Sequence, residues 1–72
     1  MTTYRFDILR RVADAEMTGP IEVALRRYGY PSPLELCNVE RAIKWLAANG
    51  LVDMRMFALT PLGRAAIQEA QR

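Results

Sequence analysis

Histidine is absent from these 72 residues, cysteine occurs once, at Cys37, and the four glycines stand singly at positions 19, 29, 50 and 63. Without histidine there is no Ser-His or Cys-His nucleophile pair, and Cys37 has no base beside it in sequence, so the residues point away from an enzyme. A site built from His, Cys and carboxylate ligands lacks its ligands, one thiol cannot close an intrachain disulfide, and isolated glycines make no loop to cradle a phosphate-bearing cofactor. No metal and no cofactor are therefore expected. Long apolar runs are missing as well: the longest uncharged ones are Trp45–Ala48 and Met56–Leu59, and Arg5 and Asp7 interrupt the N-terminal stretch before a signal-peptide core could form. The expectation is a cytoplasmic chain with a free thiol and no membrane partner.

What is present is 51% hydrophobic and 25% charged residues, with ten Lys and Arg against eight Asp and Glu, a formal net charge of +2. Nine of the ten basic residues are Arg, the side chain that makes forked contacts to phosphate and guanine and is also the favoured charged residue of protein interfaces. A mass of 8.2 kDa implies roughly 11,900 Å² of surface unfolded and roughly 4,500 Å² folded. With about 60% of that difference apolar, burial at about 25 cal/mol/Å² contributes about 110 kcal/mol, and ordering the chain costs about the same. Stability must come from close helix packing or from self-association.

Hydrophobic periodicity divides the chain into four helices. Ile8, Leu9, Val12 and Ala13 share a stripe with Tyr4 and predict a first helix over Thr3 to Glu16. Gly19-Pro20 stops it and opens a short second helix, where Ile21, Ala24, Leu25 and Tyr28 recur at helical spacing until Gly29. Ser32-Pro33-Leu34-Glu35 is a capping box, which starts a third helix at Pro33, and Asn49-Gly50 ends it. With Ile43 set at zero on a helical wheel, Leu36, Val39, Leu46 and Ala47 fall within about 60° of it and form the core stripe. Leu34, Cys37, Asn38, Arg41, Trp45 and Ala48 collect opposite, with Lys44 at the flank. Residues 51 to 59 read as a short hairpin or a single strand, with no Gly or Asn between Val52 and Phe57 to supply the positive φ of a tight turn. Thr60-Pro61 then opens a last helix running to about Gln71, with Leu62, Ala65, Ala66 and Ala70 on one side.

The stretch from Val39 through Ile43, Leu46 and Asn49-Gly50-Leu51-Val52, followed by Leu59-Thr60-Pro61-Leu62-Gly63-Arg64, resembles the winged helix-turn-helix domains of bacterial transcriptional regulators. In that family a recognition helix ends in an Asn-Gly-Leu-Val type turn, a β-hairpin wing follows, and a Leu-Thr-x-x-Gly turn starts the last helix. The likeness runs from Ile8 to Ile67. It implies a mainly α fold with a short β-hairpin, in the order helix-helix-helix-β-β-helix, as one domain over residues 1–72. It also implies that the third helix lies in the major groove of double-stranded DNA with Arg55 on the wing near a phosphate, and that the protein regulates transcription, as a homodimer because one small module offers few phosphate contacts.

Two sets of side chains follow. Arg26, Arg27, Asn38, Arg41, Lys44 and Arg55 are of the types that contact base edges and phosphates, and they are equally the solvated faces of small helices, with Glu40 placed to pair with Lys44 one turn on. Leu34, Trp45, Met54 and Met56 have the composition of a protein interface. Trp45 itself admits three readings, an interface anchor, a core residue or a stacking platform for a base, and Cys37 is an inert small residue at that surface. The second set carries a different function, an adaptor or inhibitor that binds a protein through the Trp45 face without touching DNA.

Overall fold

A computed structural model describes residues 1–71 and contains α1 (Thr3–Asp14), α2 (Pro20–Tyr28), α3 (Pro33–Ala48), β1 (Val52–Asp53), β2 (Ala58–Leu59) and α4 (Pro61–Ala70). The chain is thus mainly helical with one antiparallel hairpin, in the expected order, and its 4727 Å² of accessible surface sits close to the size expectation. The three leading helices pack on one another, and the hairpin and α4 close the open end against α1 and α3.

Local chemistry sets the helix ends. The Thr2 hydroxyl accepts from the Arg5 N–H at the start of α1. In α3 the Glu35 N–H donates to Ser32 Oγ at 3.2 Å and the Ser32 N–H to Glu35 Oε2 at 2.8 Å, so the capping box is complete. Its other end is a Schellman turn: Gly50, at φ 76°, donates to the Ala47 carbonyl and Leu51 to that of Leu46. At α4 the Gly63 N–H donates to Thr60 Oγ1, and the same hydroxyl donates to the Gly50 carbonyl, which ties the start of α4 to the end of α3.

The core holds Ile8, Leu9, Val12 and Ala15 from α1 and its exit, Val23 and Ala24 from α2, Val39, Ala42, Ile43 and Leu46 from α3, and Val52, Phe57 and Leu59 from the hairpin. One helix end and two helix faces differ from what the periodicity predicts. The first helix ends at Asp14, two residues early, because the Thr18 hydroxyl and N–H both take the Ala15 carbonyl and Met17 turns to φ 73°; Glu16 is thereby freed from the helix. In α2 the buried pair is Val23 and Ala24, while Ile21 is 61% exposed and Tyr28 is also outside, since a short helix wedged against both α1 and α3 presents its smaller side chains to the closest approach. In α4 Leu62 is 57% exposed and Ala65 and Ala70 are exposed; Ala66 of the expected stripe does face inward, together with Gly63 and Ile67. The reason is Gly63, over which the helix crosses Leu51: a Cβ there would stand 2.1 Å from the Leu51 carbonyl oxygen.

The hairpin is minimal, with Val52 opposite Leu59 and Asp53 opposite Ala58. Its connection manages without Gly or Asn because it spans residues 54–57 and lets Phe57 take φ 46°, a strained value that burial of the ring holds in place. The Arg55 N–H donates to Asp53 Oδ1 at 2.8 Å, an Asx-type turn. The Phe57 carbonyl accepts from the Met17 N–H, and Glu16 Oε1 accepts from Arg64 Nη2 at 2.9 Å and from the Leu59 N–H at 3.4 Å. The hairpin is therefore pinned along its β2 side to the turn between α1 and α2.

Candidate nucleic-acid interface

The positively charged side chains divide by whether an acid reaches them. Arg11, Arg27 and Arg64 are paired: Arg11 with Asp7 at 3.9 Å, Arg27 with Asp7 at 2.7 Å, and Arg64 with Glu16. Arg26, Arg41, Lys44 and Arg55 are exposed and make no ion pair among the described residues. The Glu40–Lys44 pair anticipated from the i,i+4 spacing is not formed, consistent with the few tenths of a kcal/mol such a pair is worth on a solvated helix.

Of the residues singled out as a DNA-reading set, Asn38, Arg41 and Lys44 share the outer side of α3, Arg26 and Arg27 occupy the last turn of α2, and Arg55 sits on the hairpin connection. Arg27 stands apart from the rest, since Asp7 compensates its charge and its guanidinium lies 5.2 Å from the Tyr28 ring centre. Asn38 and Arg41 line an open cleft of about 400 Å³ together with Ala42 of α3 and Tyr4 and Arg5 of α1.

Trp45 sits at the edge of this arrangement. Its ring is partly buried against the core, and the Arg5 guanidinium lies over it with Cζ 4.1 Å from the ring centre. The wheel set Trp45 opposite Ile43, yet the buried arc of α3 is wider than that stripe: α1 packs over the Ala42 flank, and its first turn continues the cover as far as Trp45. Leu34, Met54 and Met56 are exposed, and Leu34 lies three turns, about 16 Å, from Trp45 along α3, so these two do not form one patch on the helix. Cys37 is exposed.

Arg5, Tyr4 and Asp7 are the residues that sequence reasoning missed. No spacing rule links Arg5 to Arg41 and Trp45, because the contact depends on how α1 crosses α3. Burial foremost, then the neighbouring Tyr28 phenol, pushes the Tyr4 hydroxyl up to about 12, with Asp7 adding and Arg27 opposing. That hydroxyl is buried and has no hydrogen-bond partner among the described residues. Tyr4 also lines a second cleft, of about 390 Å³, whose charged groups are Asp7, Arg10 and Arg27.

Among the described residues there is no cluster of three or more His, Cys, Asp or Glu able to bind a metal, and no helix long and apolar enough to cross a membrane. Set against known protein families, curated proteins and solved structures, the chain matches none.

Proposed function

We propose that the protein is a small DNA-binding regulator of transcription of the winged helix-turn-helix kind, with α3 as the helix presented to the major groove. The observation that carries this reading is the distribution of free charge. Arg41 and Lys44, with Asn38 beside them, stand on the outer side of α3 without a counter-charge, and Arg55 extends from the hairpin in the same state. Such cations release condensed counterions when they meet phosphates, which is the main source of affinity for duplex DNA. The helix-helix-helix-β-β-helix order supports the reading, as does a hairpin that carries Arg55 and is pinned to the turn between α1 and α2 by Glu16 and the Met17–Phe57 bond. Action as a homodimer belongs to the same proposal, because one module makes few phosphate contacts and a pair doubles them.

Fluorescence anisotropy on a mixed-sequence duplex near 50 mM salt tests it, with micromolar binding and a steep fall in affinity as salt rises as the expected result. Arg41→Ala and Lys44→Ala each weaken binding, whereas Arg27→Ala has the smaller effect because Asp7 already neutralises that charge. Absence of binding by about 100 μM protein under those conditions defeats the regulator reading and leaves the protein-binding adaptor as the function to pursue.

A further inference from the structure

The cleft between the first turn of α1 and the flank of α3 has features that a generally basic surface does not. Its lining includes two guanidinium groups, Arg5 and Arg41, the Asn38 amide and no carboxylate. Neither guanidinium has an ion-pair partner or a side-chain hydrogen bond among the described residues, although three other arginines of the same small molecule have acids within reach. Arg5 is also held: its guanidinium lies over Trp45 with Cζ 4.1 Å from the ring centre, a cation–π contact that does not engage its N–H donors in a hydrogen bond. An arginine already immobilised by stacking loses less side-chain entropy when those donors close on a ligand. Two cationic side chains and an amide lining one opening, with no carboxylate in the lining to offset the positive charge, favour a doubly accepting anionic group.

We infer that this cleft is a phosphate-ester site, in which Arg5 and Arg41 grip one phosphate group from two helices, Asn38 donates a further hydrogen bond, and Trp45 positions Arg5. Where the phosphate is that of a DNA strand, the inference deepens the regulator reading and changes the role of two residues on α3. Asn38 and Arg41 then fix the register of the protein on the backbone and do not read base edges, which leaves Lys44 and the remaining outer face of α3 to approach the groove. The same geometry would accept the phosphate of a small phosphorylated ligand.

Trp45 is the sole tryptophan, so its fluorescence reports on the site directly and independently of any regulatory activity. The test titrates the full chain with inorganic pyrophosphate and, separately, with a mixed-sequence duplex of about 20 base pairs near 50 mM salt. The wild type is compared with Arg5→Gln, Arg41→Gln and the double variant. Arg41 is exposed and unpaired, so Arg41→Gln keeps the fold, and far-UV circular dichroism verifies this for each variant. The expected result is a change in Trp45 emission with both probes, loss of the pyrophosphate response in each single variant, and at least tenfold weaker DNA binding in each. The double variant should be little worse than either single one, because both side chains serve one phosphate, and the slope of log affinity against log salt should fall by about 0.9. A pyrophosphate response that needs both arginines, together with no DNA binding, keeps the site, assigns it to a small phosphorylated ligand and defeats the regulator reading. DNA binding that is equal in wild type and both variants leaves the regulator reading intact and overturns the DNA-backbone assignment, and the site with it unless the pyrophosphate response needs both arginines. The site is also overturned if neither probe changes Trp45 emission, or if the change survives Arg41→Gln.

Discussion

Gly63 and Tyr4 show how a single side-chain atom, absent or present, decides local energetics. Replacing glycine by alanine inside a helix ordinarily stabilises by up to about 1 kcal/mol. At Gly63 the sign reverses, because the new methyl group would meet the Leu51 carbonyl oxygen at 2.1 Å, and that oxygen also accepts the Thr60 N–H at 3.2 Å. Moving Leu51 aside breaks the bond that starts α4, so Gly63→Ala is expected to destabilise the protein by about 2 kcal/mol or more, read from urea unfolding midpoints. Tyr4 carries the opposite lesson. Its hydroxyl is buried without a partner, so Tyr4→Phe removes an uncompensated polar group and should raise stability by about 1 kcal/mol at neutral pH. Its folded-state pKa is raised to about 12 from an ordinary phenol value of 10.0. The unfolded chain therefore gives up the Tyr4 proton first, and the stability present below pH 10 is lost as pH rises from 10 toward 12. Unfolding midpoints measured from pH 8 to 11.5 should thus fall more steeply for wild type than for Tyr4→Phe; parallel curves would show that the Tyr4 hydroxyl titrates normally.

The third helix is the element on which fold and proposed function meet, and it is specified at both ends by its own neighbours in sequence. Ser32 and Glu35 satisfy each other's backbone donors, and the Gly50 turn completes the last carbonyls. Ser32→Ala is expected to cost about 1 kcal/mol, which in a domain of this size lowers the melting temperature by several degrees. An unchanged melting curve would place the effective start of the helix nearer Asn38. The hairpin is specified differently. Its two-residue strands are too short to be stable alone, and Phe57 adopts positive φ because its ring is worth more inside the core than an unstrained turn is worth outside it.

Across the molecule, the near balance of burial and chain entropy makes each tie between elements count. The Glu16 carboxylate joins the α1 exit to β2 and α4, and Trp45 with Arg5 joins α3 to the start of α1. Because Trp45 packs against the core, Trp45→Ala should lower stability by about 2 kcal/mol, below the cost of a fully buried aromatic. Calorimetry and light scattering separate this from an interface role: a lower melting temperature with unaltered association is the expected pair of results. An unaltered melting temperature with lost association would make Trp45 an interface anchor.

The sequence alone determined the order of elements, the starts of α3 and α4, the end of α3 and most of the core stripe along Val39, Ile43 and Leu46, because caps, proline and helical periodicity act within a few residues of one another. It also picked out Asn38, Arg41 and Lys44, since an amphipathic helix separates polar from apolar side chains wherever it is placed. Only the tertiary structure decided which face of α2 turned inward, where a backbone crossing at Gly63 rotated α4, that Asp7 would take Arg27 out of the free charge, and that Arg5 would lie over Trp45 and beside Arg41. Each of these depends on the angle and distance at which two helices cross, and that geometry comes from the summed fit of many side chains remote in sequence.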